Sequence, residues 1–221
     1  GSACCTEDSR GGGGKRRNRF PGIACSALPA NPNKAFYLNE LPSRPDNLII
    51  DEMHQEWSGQ YDILEEKHGY IQWLFPIRES GGMNWGSQRL GDGEAAFMSQ
   101  DPACRARYLL SYRMMLDFYG IQLVDERTGL LRRDESTIET NFGGSAAHWK
   151  LRFRNLKYHS HNNLRLSRII QAHQLLGFPK YAKSLVLFLL GEVLGTGELQ
   201  TPELVQSVPY WIKYLKSKEE Q

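Results

Sequence analysis

From Thr140 through Gly191 the chain carries no aspartate or glutamate, while Lys150, Arg152, Arg154, Lys157, Arg165, Arg168, Lys180 and Lys183 supply eight positive charges. At average usage, with acids about half of the ~25% of residues that are charged, a stretch of that length holds about six. The segment therefore concentrates positive potential in one part of a balanced chain. Within it, Arg165 and Arg168 stand at i and i+3, one face of a helix, with His161 near that helix's start. Backbone N–H groups at a helix N-terminus favour negative charge, so these three residues read as an anion fork. A competing reading has acids of the other half, such as Glu65, Glu66 and Asp117, pairing with the arginines and holding the domain together. Arg165 lies between Leu164 and Leu166, which is consistent with partial burial.

Trp57, Tyr61, Tyr70, Trp73 and Phe75 crowd into one short stretch beside Glu65, Glu66 and His68. Core packing is the default meaning of such a stripe. The functional alternative is an aromatic pocket with adjacent carboxylates, suited to a ligand that carries rings and a cationic amine. His159-Ser160-His161 offers two imidazoles, but a transition-metal site needs further ligands and none stands nearby in the sequence, so no metal is expected. His54, between Glu52 and Glu56, reads as part of a solvated face. Cys104 falls in the first turn of a helix, where the dipole can lower a thiol pKa, although an inert buried cysteine is the commoner case. GxSxG and HExxH are absent, and Gly11 to Gly14 lack the flanking strand and helix of a phosphate loop. Neither catalysis nor a cofactor is expected.

These residues must be positioned by helices. Asp101-Pro102 supplies an N-cap acceptor before a proline at the first helical position, and Gly120 a C′ stop; between them Tyr108, Tyr112, Met115 and Tyr119 form one stripe. A second helix is expected from Pro45-Asp46 to Trp57, and a third through Ile63, Leu64, His68 and Ile71 towards Pro76. Further helices are expected over 146–158, 162–176, 180–194, 202–207 and 209–218. One hairpin interrupts them, with 121–124 and 130–132 flanking a turn whose Gly129 suits a bulge. The fold class is thus mainly α: a single multi-helix globular domain with one small β-hairpin.

That domain is expected over 33–221, preceded by a disordered basic Gly/Pro-rich arm over 1–32. The arm holds five basic and two acidic residues, net +3, leaving 22 basic and 23 acidic residues in the remainder. The folded part as a whole is therefore not expected to bind nucleic acid by charge. Four cysteines are too few for a disulfide scaffold and fit a reducing compartment. The most apolar run, Leu185 to Leu190, is far short of the ~20 residues of a membrane span. Gly1-Ser2 reads like the remnant of a removed tag, so a longer natural chain is expected.

Three blocks carry a family resemblance: WSGQYDILEEKHGYIQWLFP at 57–76, SYRMMLDFYG at 111–120 and HNNLRLSRI at 161–169. Together they resemble the conserved domain of the opioid growth factor receptor family, from about Phe36 into the 210s. The resemblance implies a non-enzymatic receptor that binds the pentapeptide methionine-enkephalin, restrains cell growth, enters the nucleus through karyopherins, and resides in the cytoplasm, perinuclear region and nucleus. It does not imply particular contact residues. Matching the ligand's chemistry to the chain pairs Glu65 or Glu66 with the amine, Trp57, Tyr61 and Trp73 with the rings, and Arg165 or Arg168 with the carboxylate, with His161 adjoining. Two alternatives stand beside this reading. One is a nuclear scaffold or nucleic-acid-associated module using segment 140–191; the other is an anion-handling enzyme using His161, Arg165 and Arg168.

Overall fold

In the computed structural model, which describes residues 28–79, 88–135, 138–141 and 144–215, the longest element is the helix that the Asp101-Pro102 signal predicts. Here it is α6, Pro102–Phe118. Asp101 Oδ1 accepts the Cys104 N–H at 2.8 Å, Pro102 fills the first turn, and Gly120 leaves the helix at φ +71°. The predicted stripe is buried: Tyr108, Tyr112, Met115 and Tyr119 are each no more than 2% exposed. The Tyr108 ring stacks on Phe178 at 4.8 Å and its hydroxyl meets His173 Nδ1 at 2.9 Å. Tyr112 stands edge-on to His173 at 4.4 Å and stacks on Tyr181 at 5.5 Å. Each such ring pair contributes about 0.5–1.5 kcal/mol beyond area burial, so this spine ties α6 to the C-terminal helices.

Before α6 come α1 (Pro32–Tyr37), α2 (Ile50–Trp57), α3 (Tyr61–Glu66), α4 (Tyr70–Leu74) and α5 (Asp92–Gln100). After it run strands β1 (Ile121–Asp125), β2 (Leu130–Arg133), β3 (Ile138–Asn141) and β4 (Gly144–Ala147), then α7 (His148–Tyr158), α8 (His161–Leu175), α9 (Pro179–Leu190) and α10 (Pro202–Leu215). A π-turn, Gly191–Gly195, prolongs α9. One hydrophobic core extends from Phe36 to Trp211, giving a single mainly α domain. No helix among the described residues is long and apolar enough to cross a membrane.

The expected hairpin is β1–β2, with the register slipping between Leu123 and Asp125 as a bulge. The Asp125 carboxylate accepts from Arg127 N and Thr128 Oγ1, and Gly129 turns at φ +78°. A second hairpin, β3–β4, was not expected; it pairs Ile138 with Ala147 and delays the helix placed at 146 until His148. Helix α2 begins at Ile50 rather than after Pro45, because residues 44–46 form a turn and Asn47 takes φ +55°. The two helices placed around Pro209 are one, α10. Proline removes only the bond to the Val205 carbonyl, and Val205 is 39% exposed, so water can take that acceptor.

Helices α1 and α5 were not anticipated, and they share an organiser. Glu94 is 4% exposed, and its carboxylate accepts from Gly91 N, Asn33 N, Lys34 N and Asn33 Nδ2 at 2.9–3.1 Å. One anion thereby caps the N-termini of two helices, a tertiary effect that no local pattern announces.

Two consequences are measurable. A Cβ at Gly120 would stand 2.6 Å from the Trp149 Cα, whereas one at Gly59, also at positive φ, meets nothing within 4 Å. Gly59→Ala should therefore cost only the left-handed penalty of about 1–2 kcal/mol, and Gly120→Ala distinctly more; equal melting temperatures for the two variants would contradict this. The second concerns acid. Burial first of all pushes the His173 imidazole down to about 3 and that of His54 to about 4. Above ~6.5 neither the folded nor the unfolded imidazole is charged; below it the unfolded chain takes up protons that the fold refuses, so stability falls as pH drops through this window. His173→Gln should melt lower at neutral pH yet lose less on going from pH 6.5 to 4, as calorimetry would show.

Candidate functional site

Helix α3 ends at Glu66, which leaves its last four carbonyls without helical partners. Ile63 O receives Lys67 N at 3.0 Å, and Leu64 O receives the Tyr70 hydroxyl at 2.9 Å. Glu66 O meets His68 Nδ1 at 2.7 Å. The remaining demand is met by Arg165 of α8. Its Nη1 donates to Leu64 O at 2.8 Å, and its Nη2 donates to Lys67 O at 2.7 Å and Glu65 O at 3.3 Å. The guanidinium also lies 5.5 Å from the Tyr70 ring centroid. This cationic cap sits at the negative end of α3 and explains why the chain breaks there instead of running as one helix to Pro76.

Arg165 is 4% exposed, so its charge is answered by carbonyl dipoles rather than by the carboxylate of Glu65 or Glu66. Glu65 is engaged otherwise. Its Oε2 accepts from Asn155 Nδ2 at 2.6 Å and Asn162 Nδ2 at 3.2 Å. Its Oε1 faces His161 Nε2 at 2.7 Å and His159 Nδ1 at 3.5 Å. Burial raises the Glu65 pKa, but the two amide donors and the imidazoles outweigh it and hold the carboxyl below its ordinary range. Burial, then the Arg165 charge, lower the His161 pKa against the opposing pull of Glu65. At neutral pH the pair is therefore a carboxylate beside a neutral imidazole.

One turn along α8, Arg168 donates to Phe75 O at 3.1 Å. Between α4, α8 and α10 lies a cavity of 310 Å³ whose walls include Ile71, Ile77, Leu164 and Tyr214, with His68, His161 and Arg168 at its polar edge. Leu164 is 74% exposed there. The structure thus gathers Glu65, His161, Arg165 and Arg168 in one region. The aromatic residues go elsewhere. Trp73 is fully buried, with its Nε1 donating to Arg44 O at 3.0 Å, and Trp57 is 6% exposed and stands edge-on to Tyr70. Half-buried Tyr61 donates to Asp117 Oδ2 at 2.9 Å and carries Arg152 over its ring at 4.4 Å. Glu66 is exposed.

Residues that sequence reasoning passed over complete the region: Asn155 and Asn162, which fix Glu65, and Ile71, Leu164 and Tyr214, which shape the cavity. The only local signal was the Asn162-Asn163 pair at the head of α8. Cys104 is 1% exposed and its thiol is pushed up to about 12, first by burial and then by Asp101, so the helix start does not activate it.

The fold and site define a mainly helical domain with a clamped three-helix junction beside a small apolar cavity. Comparison with known proteins assigns the lineage. The profile described as "Opioid growth factor receptor (OGFr) conserved region" matches residues 29–221. The mouse opioid growth factor receptor is 41% identical over 162 residues, which is 73% of this chain and 24% of that protein. The human opioid growth factor receptor is 39% identical over 168 residues, 76% of this chain and 23% of the relative. Mouse opioid growth factor receptor-like protein 1 is 35% identical over 189 residues, 85% of this chain and 37% of the relative. The chain belongs to the opioid growth factor receptor family, a receptor family and not a known enzyme family, and spans about a quarter to a third of the length of these relatives. No solved structure matches it.

The clamp makes a direct prediction. Arg165→Met keeps the stem but strips donors from buried carbonyls, each charged hydrogen bond being worth about 1.5–3 kcal/mol. The variant should lose at least ~3 kcal/mol, or about 6–12 °C in melting temperature for a domain of this size. Arg165→Lys should recover little, because one ammonium cannot span three carbonyls. Urea or thermal unfolding checks both, and a wild-type-like lysine variant would disprove the clamp.

Proposed function

We propose that this domain is a peptide-recognition module that binds methionine-enkephalin at the α4–α8–α10 cavity, and that this binding underlies negative regulation of cell growth. The observation that carries the reading is the cavity itself, apolar in its walls and edged by imidazoles and a guanidinium, with the Glu65 carboxylate 2.7 Å from His161 of that edge. Such a site suits a small zwitterion with apolar side chains. At 310 Å³ it accepts one or two side chains of Tyr-Gly-Gly-Phe-Met, a ring or the thioether, and the rest of the peptide would lie along α8. In this arrangement Arg168 meets the carboxylate and an acidic residue at the end of α3 meets the amine, while Arg165 serves by holding α3 against α8. The names of the relatives support the receptor part of this reading. The basic run Lys15-Arg16-Arg17 supports recognition by karyopherins and a cytoplasmic, perinuclear and nuclear residence.

Titration of the chain with methionine-enkephalin, followed by calorimetry, tests the site. Leu164 is 74% exposed, so Leu164→Glu should leave the fold intact while weakening peptide binding at least ~10-fold. Unchanged affinity in that variant would remove the cavity from consideration.

A second reading rests on α7. Lys150, Arg154 and Lys157 recur at i, i+4 and i+7 and are all exposed, with Tyr158 79% exposed beside them. This face suits an anionic partner such as nucleic acid, as a nuclear scaffold would require. Added salt separates the two, because phosphate contacts give a steep loss of affinity and a zwitterionic peptide a shallow one.

A further inference from the structure

Glu65, His159 and His161 are remote in sequence and meet where α3, α7 and α8 join. Their ligand atoms all lie within 4.8 Å of one another. Glu65 Oε1 and His161 Nε2 are both buried, face each other at 2.7 Å, and make no aligned hydrogen bond among the described residues. A carboxylate oxygen and two imidazole nitrogens that converge within 4.8 Å, with no aligned hydrogen bond at Oε1 or at His161 Nε2 among the described residues, form a donor set that a divalent cation can bridge.

We propose that Glu65, His159 and His161 bind a divalent transition-metal ion of the zinc class, with a fourth coordination position left for solvent or a ligand. Two imidazoles and one carboxylate are a borderline donor set; they suit zinc better than calcium or magnesium, which prefer all-oxygen shells. Metal–ligand bonds of about 2.0–2.2 Å in a tetrahedron place ligand atoms about 3.3 Å apart. The 3.5 Å from Glu65 to His159 meets this, and the 2.7 Å to His161 must open by about half an ångström.

The surroundings are built for the role. Asn155 and Asn162 hold Glu65 Oε2, which leaves Oε1 directed at the imidazoles, the kind of outer support that orients metal ligands. Asn162 is itself held by Arg165 Nη1 at 3.1 Å, so the clamp also sets the ligand geometry. The His68 ring lies 4.9 Å from that of His161. His68 is itself held through Nδ1, which lies 2.7 Å from Glu66 O. The nearby Arg165 charge opposes a cation, so affinity should be moderate, on the order of micromolar rather than that of a structural zinc site.

A second set, Asp117, Asp134 and His148, also brings its ligand atoms within 4.8 Å. It is already satisfied internally: His148 Nε2 lies 2.7 Å from Asp117 O, and Asp117 Oδ2 accepts from Tyr61.

The test uses zinc alone, so its failure leaves the peptide reading standing, and the reverse. The full chain, free of any polyhistidine tag, is titrated with zinc chloride in a non-coordinating buffer by calorimetry, and with cobalt(II) by visible absorption. One ion per chain and a four-coordinate cobalt spectrum are expected. His159→Ala removes a side chain that is 48% exposed, and Glu65→Gln keeps an acceptor for the two asparagines; each should weaken uptake at least ~10-fold. If Glu65→Gln fails to fold, His159→Ala carries the test. Absence of stoichiometric uptake, or uptake that survives these substitutions unchanged, overturns the site.

Discussion

The hydrogen bonds from Arg165 to the end of α3 decide more of this domain than any other contact among the described residues. A guanidinium offers five donors in a rigid plane, and here they converge on carbonyls that a helix terminus leaves exposed. Because those carbonyls are satisfied from α8, α3 can stop after six residues and the chain can turn at Lys67–Gly69 into α4. That turn sends Tyr70, Trp73 and Phe75 into the core beside α6. A continuous helix would have carried them past it. The break in the helix and the filling of the core are therefore one event, with a buried cation as its cause.

The same clamp accounts for the polar cluster. Holding the 64–67 backbone against α8 places the Glu65 side chain over the junction of α7 and α8, within reach of Asn155, Asn162, His159 and His161. A carboxylate there loses hydration, and the two amides replace much of it, so the group stays ionised although it is partly buried. One residue further, Glu66 is exposed. Neighbouring acids thus have opposite environments because a short helix presents consecutive side chains about 100° apart.

Local chemistry was legible where a residue's role was local. The Asp101-Pro102 cap, the stripe on α6 and the Gly129 turn are each set within a few residues, and all three stand in the structure. What was not legible depends on partners far along the chain. The shared Glu94 cap joins residues about sixty apart, and the Arg165 clamp spans about a hundred. Periodicity through Ile63, Leu64 and Ile71 promised a continuous helix, and the break depends on Arg165 of α8 as well as on the nearby Tyr70 and His68. For the site, His159-Ser160-His161 showed no neighbour able to complete a ligand set, because Glu65 is brought in by folding. Trp57 and Trp73 could equally have lined a pocket or filled a core on composition alone; burial distinguishes the two.

The acid-free stretch gains a different meaning from this. A run of basic residues without acids invites two explanations, an external anion or internal carboxylates, and both assume that a positive charge must be answered by a negative one. Arg165 is answered by peptide dipoles instead, at Leu64, Glu65 and Lys67, while Arg168 donates to Phe75 O and also feels the Glu79 carboxylate. An acid on α8 near them would compete with those carbonyls for the guanidinium groups and loosen the junction. Of the cations that stay outside, Lys150, Arg154 and Lys157 lie on α7 along one exposed face, and Lys180 and Lys183 lie on α9. The first acid after the gap, Glu192, is itself only 7% exposed and pairs through two bonds with Arg133 of β2. Absence of acids is thus partly a structural requirement of α8 and partly a surface property of α7 and α9.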